Sequence, residues 1–325
     1  MSRPGKLLLL DTPSLYFRAF YGVPASITAP DGTPVNAVRG LLDFIARLVT
    51  DLRPTRLVAA MDADWRPAFR VEALPSYKLH RVATGHEEEV PDALSPQVAI
   101  IEDVLAALGV ACFGVEGFEA DDVIGTLATH DPGPVDIVTG DRDLFQLVDD
   151  ARGVRVLYTA RGVGRAEVVD EARVTAKYAI PGRAYADFAT LRGDPSDGLP
   201  GVAGVGDKTA ASLITTYGDL ASLLAAVEAG DRRMPAGARA KLQAARDYLS
   251  VAPLVVAVAK DVPLPTHQQA VPAAPRHPDR LVELSARWGL DSPLNRVLSA
   301  FAAVPADQPP TIEGRPPAYG QATEE

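Results

Sequence analysis

Three short apolar runs in the first half of the chain are each followed closely by an aspartate. The runs and their aspartates are residues 7–10 with Asp11, residues 56–61 with Asp62, and residues 135–139 with Asp141. Short continuous apolar runs of this kind are typical of strands that are buried on both faces of a sheet. The pattern therefore predicts three buried strands, each with a carboxylate at or just beyond its carboxyl end.

Helical periodicity separates these runs. Apolar residues recur every three or four positions over residues 37–52 and 97–108, as on the buried side of a helix. Strands that alternate with helices predict an α/β fold with a mostly parallel central sheet and helices on both faces. Ligands of such sheets bind beyond the carboxyl ends of the strands, which is where the three aspartates fall.

The second half of the chain has a different pattern, from which we predict the domain organisation. The strand signal fades after about residue 180 and the sequence becomes helical, while residues 261–279 contain five prolines and are typical of a linker. Two short helical segments follow, over residues 280–288 and 293–303. The expected divisions are an α/β domain over 1–180, a helical domain over 181–264, a linker with a short helical segment over 265–304, and a disordered tail over 305–325.

Composition and charge exclude several classes of protein. The 325 residues include one cysteine, Cys112, and five histidines, which excludes an internal disulfide and argues against a structural zinc site. We find no hydrophobic leader and no apolar stretch of membrane-spanning length, so we expect a cytoplasmic protein without a membrane partner. A net charge of −10 argues against coating of nucleic acid by bulk charge, but it leaves room for a local basic groove.

Acidic residues occur in five compact groups, each after a predicted strand or at a predicted helix start. The groups are Asp11; Asp62; Glu119, Asp121 and Asp122; Asp141 and Asp143; and Asp194 and Asp197. Taken singly, Asp121, Asp194 and Asp197 are better explained by helix capping, whereas Asp62 and Asp141 are explained about equally well by the preference of loops for aspartate. If the groups converge, however, two carboxylates about 4 Å apart repel by roughly 4 kcal/mol at an effective dielectric near 20. Such a cluster favours a hard cation such as Mg²⁺ or Mn²⁺, and two such ions serve phosphodiester hydrolysis.

A basic stretch with interleaved aromatic residues runs from residue 65 to residue 81. Arginines and lysines alternate there with Trp65, Phe69 and Tyr77. This mixture suits a phosphate backbone with bases that can stack, although a solvated amphipathic helix would look similar.

A glycine-rich turn at residues 201–210 leads into a predicted helix. It differs from a Walker A loop, because Asp207 stands between the last glycine and Lys208, and we therefore expect no NTP site. We interpret it as a turn with free N–H groups that Asp207 caps, suited to binding a phosphate, although it could equally be an ordinary connection between helices.

Four segments together resemble the 5′ nuclease family, the flap-endonuclease-like enzymes that include the 5′ to 3′ exonuclease domain of bacterial DNA polymerase I. They are residues 117–125 (GFEADDVIG), 139–146 (TGDRDLFQ), 191–202 (LRGDPSDGLPGV) and 204–209 (GVGDKT). The resemblance extends from about residue 7 to residue 264. Too little chain follows for a polymerase domain, so we expect a stand-alone enzyme.

The resemblance implies roles for individual residues. The nine acidic residues named above would form the metal site, and Lys78 and Arg81 would contact the scissile phosphate. Residues 65–91 would form a helical arch in which Tyr77 stacks on the end base, and Arg18 and Arg70 would contact other phosphates. The glycine-rich turn would be a helix-hairpin-helix that grips duplex DNA, often around a K⁺ ion, through Gly204, Gly206, Lys208 and Thr209.

The resemblance therefore implies a structure-specific 5′ to 3′ exonuclease and flap endonuclease that uses two divalent ions on DNA with 5′ ends or flaps, in replication or repair. Two alternatives remain open from the residues. A PIN-like ribonuclease would share the sheet and part of the acidic set. A non-catalytic protein that binds DNA structures would share the groove.

Overall fold

The computed structural model describes residues 5–84, 87–88, 90–265 and 268–304. Its strands are β1 (Leu7–Asp11), β2 (Arg56–Ala60), β3 (Val82–Thr84), β4 (Glu87–Glu88), β5 (Ala111–Phe113), β6 (Val135–Thr139), β7 (Val154–Tyr158) and β8 (Glu167–Val169). Its first seven helices are α1 (Thr12–Gly22), α2 (Asn36–Leu52), α3 (Ala68–Ala73), α4 (Ser95–Leu108), α5 (Ala120–His130), α6 (Glu171–Tyr178) and α7 (Tyr185–Arg192). The later helices are α8 (Asp207–Tyr217), α9 (Leu220–Glu228), α10 (Ala236–Ala244), α11 (Arg246–Val256), α12 (Pro278–Trp288) and α13 (Asp291–Ala302).

Within these residues the central sheet has six strands in the order β5-β2-β1-β6-β7-β8. All neighbouring strands are parallel except β7 and β8, which are antiparallel. The three strands expected from the apolar runs are β1, β2 and β6, and the two expected helices are α2 and α4. The predicted α/β fold with a mostly parallel sheet is therefore confirmed.

The sheet is buried on both faces, which explains why β1 is a run of leucines. Leu7 and Leu9 pack into one apolar cluster with helices α5 to α11. Leu8 and Leu10 pack into the other with α2, α4, α12 and α13. Because successive side chains of a strand point to opposite faces, an uninterrupted apolar run is needed where both faces are covered.

The segment that we expected to be a linker is held against the sheet. The backbone N–H of Leu57 donates to the carbonyl of Gln269 at 2.8 Å, and that of Val271 donates to the carbonyl of Thr55 at 3.0 Å. Helices α12 and α13 then bury Leu284, Val297 and Phe301 in the cluster that contains α2. Residues 268–304 thus complete one covered face of the sheet. The tail predicted over 305–325 lies outside the described residues.

The segment predicted to form a helical arch, residues 65–91, is helical in part. It consists of α3, a 3₁₀ turn at Leu79–Arg81 and the hairpin of β3 and β4, while residues 85, 86 and 89 lie outside the described part. Helix α3 ends at Ala73 because Leu74 precedes Pro75 and takes an extended conformation.

In the part of the chain that is described, no single helix is long and apolar enough to span a membrane. Helices α8 and α9 together have the length and composition of a membrane span, but they are bent by 83° relative to each other.

Candidate active site

Three aspartates emerge together at one edge of the sheet. Asp11 ends β1, which lies between β2 and β6, and it stands opposite Ala60 at the end of β2. Asp62 and Asp141 each follow the end of their own strand by two residues. All three side chains line a single cavity of about 390 Å³. The strand pattern in the sequence therefore led to the correct edge of the sheet.

The amino-terminal turn of α5 brings two more carboxylates to this cavity, those of Glu119 and Asp121. Asp62 fixes the helix start, because its Oδ1 accepts the backbone N–H of Ala120 at 2.7 Å. Asp122 Oδ2 accepts the N–H of Glu119 at 3.1 Å, which is half of a capping box. Both interpretations of this acidic group thus hold, since some of its members cap the helix and others face the cavity.

We call Asp11, Asp62, Asp121, Asp141 and Asp143 the unpaired acidic group, because in the described part of the chain none of them forms an ion pair with lysine or arginine. Burial raises the pKa of Asp11 to about 7, a hydrogen bond from Thr139 opposes this rise, and the charge of Asp62 adds to it. Burial and the charges of Asp11 and Asp141 raise the pKa of Asp121 well above its usual range. The pKa of Asp143 is raised by burial and by Asp141, and its buried Oδ1 has no hydrogen-bond partner among the described residues. When these carboxyls ionise, no ion pair within the described residues neutralises their charge.

The donor set of the cavity fits a hard divalent cation. Its carboxyl groups belong to Asp11, Asp62, Glu88, Glu119, Asp121 and Asp141, and no histidine or cysteine lines it. Among the described residues, no three acidic, histidine or cysteine side chains form a preassembled metal-binding group. Mg²⁺ usually takes one or two carboxylates together with waters and substrate phosphates, so a complete cage of protein ligands is not required.

Glu119, Asp122, Asp194 and Asp197 have cationic partners within the chain, and we call them the paired acidic group. Arg70 contacts both Glu119 and Asp122, Lys78 contacts Glu119, Arg192 Nη2 lies 3.3 Å from Asp194 Oδ2, and Arg81 Nη2 lies 3.1 Å from Asp197 Oδ1. Burial raises the pKa of Asp197 to about 6, while Lys78 opposes this rise. Asp122, Asp194 and Asp197 do not line the cavity, and neither does Asp143 of the unpaired acidic group.

The structure contradicts the roles expected for Asp122, Arg70 and Tyr77. Asp122 is fully buried and is not available to an ion, because its two oxygens accept hydrogen bonds from Arg70 at 2.7 and 2.6 Å. Arg70 is 2% exposed and therefore does not reach a DNA phosphate. Tyr77 is 4% exposed and donates its hydroxyl to Glu119 Oε2 at 2.8 Å, so its ring is not free to stack on a base.

The other basic residues lie at or near the cavity. Lys78 and Arg81 line it, and Arg81 also donates to the carbonyl of Ser196 at 2.8 Å. Arg18, on α1, donates to the carbonyl of Ala160 at 3.5 Å, and its buried Nε has no partner among the residues described.

The glycine-rich turn lies outside the cavity, and so do Gly204, Gly206, Lys208 and Thr209. Its expected cap is wrong, because Gly206 occupies the N-cap position of α8 and Asp207 is already the first helical residue. The turn packs against the end of α7, where a Cβ on Gly201 would lie 2.4 Å from the carbonyl oxygen of Arg192. This close approach ties the turn to the segment that carries Asp194.

Sequence reasoning missed several side chains that line the cavity, among them Ser14, Phe17, Glu88, Tyr158 and Ser196. Tyr158 ends β7, the strand next to β6, so the rule that identified the aspartates would also have found it. Ser14 and Phe17 follow Asp11 by three and six residues on α1 and could have been found from helical spacing. Glu88 lies in the hairpin, and no signal in the sequence indicates its position.

Comparisons with known proteins identify relatives over most of the chain. Residues 6–179 match the family model described as the N-terminal resolvase-like domain of 5′-3′ exonucleases, and residues 180–279 match the C-terminal SAM fold of the same enzymes. A 5′-3′ exonuclease of Streptomyces coelicolor is 62% identical over 301 residues, which are 91% of this chain and 100% of that protein. DNA polymerase I of Mycobacterium bovis is 43% identical over 262 residues, which are 79% of this chain and 28% of the polymerase.

A solved structure with a similar fold is the bacteriophage T5 flap endonuclease in a pseudo-enzyme–product complex with DNA and metal ions. Its TM-score is 0.60 at 18% identity, and the match covers 93% of this chain and 100% of that one.

Proposed function

The chain belongs to the 5′-3′ exonuclease family, and from this premise we propose that it is a structure-specific nuclease that hydrolyses DNA phosphodiesters at 5′ ends and 5′ flaps during replication or repair. The observation that carries the proposal is the single cavity lined by Asp11, Asp62, Asp121 and Asp141, together with Glu119. With Glu88, six carboxyl groups line this cavity, and so many are tolerable in their ionised form at neutral pH when cations share it. The Streptomyces relative, which matches along its whole length, supports the same activity.

The residues of the chain have separate roles in this proposal. The unpaired acidic group and Glu119 would hold two divalent ions, Mg²⁺ or Mn²⁺, through carboxylate oxygens. When bound, such ions supply Lewis-acid stabilisation of the charge that develops on the phosphodiester. Lys78 and Arg81 would neutralise the scissile phosphate, and each must exchange its present carboxylate partner for a phosphate oxygen to do so. The expected products have a 5′-phosphate and a 3′-hydroxyl.

Duplex DNA would dock on the glycine-rich turn, where Gly204, Gly206, Lys208 and Thr209 offer backbone N–H groups and an ammonium without contacting bases. Arg18 would contact a phosphate beside the cavity. We also propose that carbonyl groups of this turn bind K⁺. Support for a cation there comes from Lys241, whose Nζ donates to the carbonyl of Gly204 at 2.8 Å. Exchange of K⁺ for Na⁺ at constant ionic strength, with DNA affinity as the readout, tests this part.

We also propose that the protein is located in the cytoplasm and that it binds neither membranes nor NTPs. This part of the proposal rests on DNA being the substrate. Fractionation of cells that produce the protein would test it.

The function is tested with a 5′-labelled flap and a nicked duplex, each incubated with Mg²⁺, Mn²⁺ or EDTA, with product lengths read at single-nucleotide resolution. We expect short 5′ products with either metal and none with EDTA. Faster cleavage of single-stranded RNA than of flap DNA would favour the PIN-like ribonuclease instead. Strong flap binding without a metal-dependent product would favour the non-catalytic alternative.

A further inference from the structure

The chain leaves α11 at Val256. Residues 255–262, the end of α11 and the stretch that follows it, are called the return segment because they bring the chain back from the helical domain to the sheet. Side chains of the α/β domain hold its backbone at nearly every residue. Arg70 donates to the carbonyls of Val255 and Ala257, and Gln146 bonds to the carbonyl of Val256 and the N–H of Val258. Asp122 accepts the N–H of Ala259, and Thr126 bonds to the carbonyl of Ala259 and the N–H of Val262. The ring of His130 bonds to the carbonyl of Lys260.

Arg70 contributes two of these hydrogen bonds and also contacts two acidic residues of the site. Its Nε donates to the carbonyl of Val255 at 3.1 Å, and its Nη2 donates to that of Ala257 at 3.4 Å. The remaining donors of Nη1 and Nη2 go to Asp122, at 2.7 and 2.6 Å, and to Glu119. A guanidinium has five N–H donors, so the five acceptors account for all of them.

Asp122 extends this arrangement to the return segment. Its Oδ1, which accepts from Arg70, also accepts the N–H of Ala259 at 2.8 Å. Its Oδ2 accepts the N–H of Glu119, the residue whose carboxylate faces the cavity. Arg70 and Asp122 therefore connect the first turn of α5 with the segment that leaves the helical domain.

We propose that Arg70 is a positioning residue that fixes Glu119 at the cavity and couples it to the helical domain through the return segment, without contacting DNA. This inference rests on the proposed nuclease function, because it assumes that the helical domain binds duplex DNA. If DNA binding displaces α11, the planar guanidinium of Arg70 would transmit that displacement to the carboxylate of Glu119.

The salt dependence of DNA binding separates this role from a phosphate contact. Each phosphate contact contributes about 0.9 to the slope of log K against log salt concentration for duplex DNA. The test is to measure the affinity of the wild type, Arg70→Met and Lys208→Met for a 5′-flap duplex at several salt concentrations. EDTA is present so that the DNA is not cleaved. We expect the slope of Arg70→Met to equal that of the wild type, and the slope of Lys208→Met to be smaller by about 0.9.

Cleavage is then measured in a single turnover with enzyme in excess. We expect Arg70→Met to be slower by roughly 10²-fold, since misplacement of a reacting group by about 1 Å has that effect. Arg70→Lys keeps the charge but has three donors, so we expect it to remain slow. Recovery of the wild-type rate in Arg70→Lys, or a loss of about 0.9 in the slope of Arg70→Met, would overturn the proposal.

Gln146→Leu provides a second test that leaves Arg70 intact. It removes the bonds to Val256 and Val258, and we expect faster amide hydrogen exchange over the return segment, slower cleavage and an unchanged salt slope. Faster exchange with cleavage at the wild-type rate would contradict the coupling. Failure of the wild type to bind or cleave the flap would instead contradict the proposed function, so the two failures are distinguishable.

Discussion

The two acidic groups of the site contain similar residues but have opposite electrostatic environments. The paired acidic group lies against basic side chains from elsewhere in the chain, such as Arg70, Arg81 and Arg192. The unpaired acidic group gathers at the carboxyl edge of the sheet, and across the described ranges no lysine or arginine forms an ion pair with it. Folding thus neutralises one group internally and leaves the other to external cations. The difference supports the proposal that the unpaired group, together with Glu119, binds ions and that the other members of the paired group belong to the framework.

Replacement of Asp121 by Asn should have the largest effect on cleavage. The change removes a carboxylate from the cavity while keeping its shape, so we expect a loss of roughly 10³-fold or more in the single-turnover rate on a 5′ flap, equivalent to about 4 kcal/mol. Flap binding in EDTA should be retained. Asp51→Asn, at an exposed position on α2, is the matched control and should stay within about twofold of the wild type. Cleavage by Asp121→Asn within tenfold of the wild type would remove this aspartate from the ion site.

Replacement of Asp122 by Asn should have the largest effect on stability. Asp122 is the neighbour of Asp121 in the sequence but belongs to the paired group. Removal of one partner of a buried ion pair leaves Arg70 inadequately compensated, so we expect the free energy of unfolding to fall by about 3–5 kcal/mol in urea denaturation. In metal-free buffer, Asp121→Asn should instead raise that free energy, because it relieves repulsion. If both variants shifted stability in the same direction, the distinction between the two groups would be wrong.

The pH dependence of stability should reveal the charge of Asp11. Because folding raises the pKa of Asp11 to about 7 from 3.8, the folded protein holds this proton more tightly than the unfolded chain. The stability contribution is therefore complete below about pH 4 and is lost as the pH rises through about 7. Between pH 5 and 8 we expect the metal-free protein to lose about 2.5 kcal/mol more than Asp11→Asn does. Parallel pH profiles of the two proteins would contradict this assignment.

Replacement of Tyr77 by Phe should have the smallest effect. It removes the hydroxyl that donates to Glu119 and leaves the ring in place, so a loss of about 1 kcal/mol of unfolding free energy is expected. Tyr217→Phe is the matched control, because the buried hydroxyl of Tyr217 has no hydrogen-bond partner in the described structure, and its removal should not destabilise the protein. Equal effects of the two changes would argue against the contact with Glu119.

The edge of the sheet was predictable from sequence because strand ends are local features. Each apolar run identifies its own strand, and the parallel arrangement brings the ends together. The fates of Asp121 and Asp122 were not predictable in this way. These adjacent helical residues point in different directions, one to the cavity and the other to Arg70, about fifty residues earlier in the chain. That separation depends on long-range packing, which periodicity does not report.

Long-range packing also explains why the roles of Arg70 and Tyr77 in the basic stretch were mispredicted. Alternation of cations and aromatic residues over 65–81 indicated an exposed DNA-binding surface, and Lys78 and Arg81 do face the cavity. Arg70 and Tyr77 are buried instead, because Glu119 and Asp122 supply the acceptors that allow a guanidinium and a hydroxyl to leave water.

A calorimetric titration of the DNA-free protein with Mn²⁺ tests most directly whether the unpaired acidic group is the ion site. We predict that the wild type and Asp51→Asn bind two ions, and that the double variant Asp121→Asn with Asp141→Asn loses at least about tenfold in affinity. Unchanged Mn²⁺ binding by the double variant, or no binding by the wild type, would contradict the account.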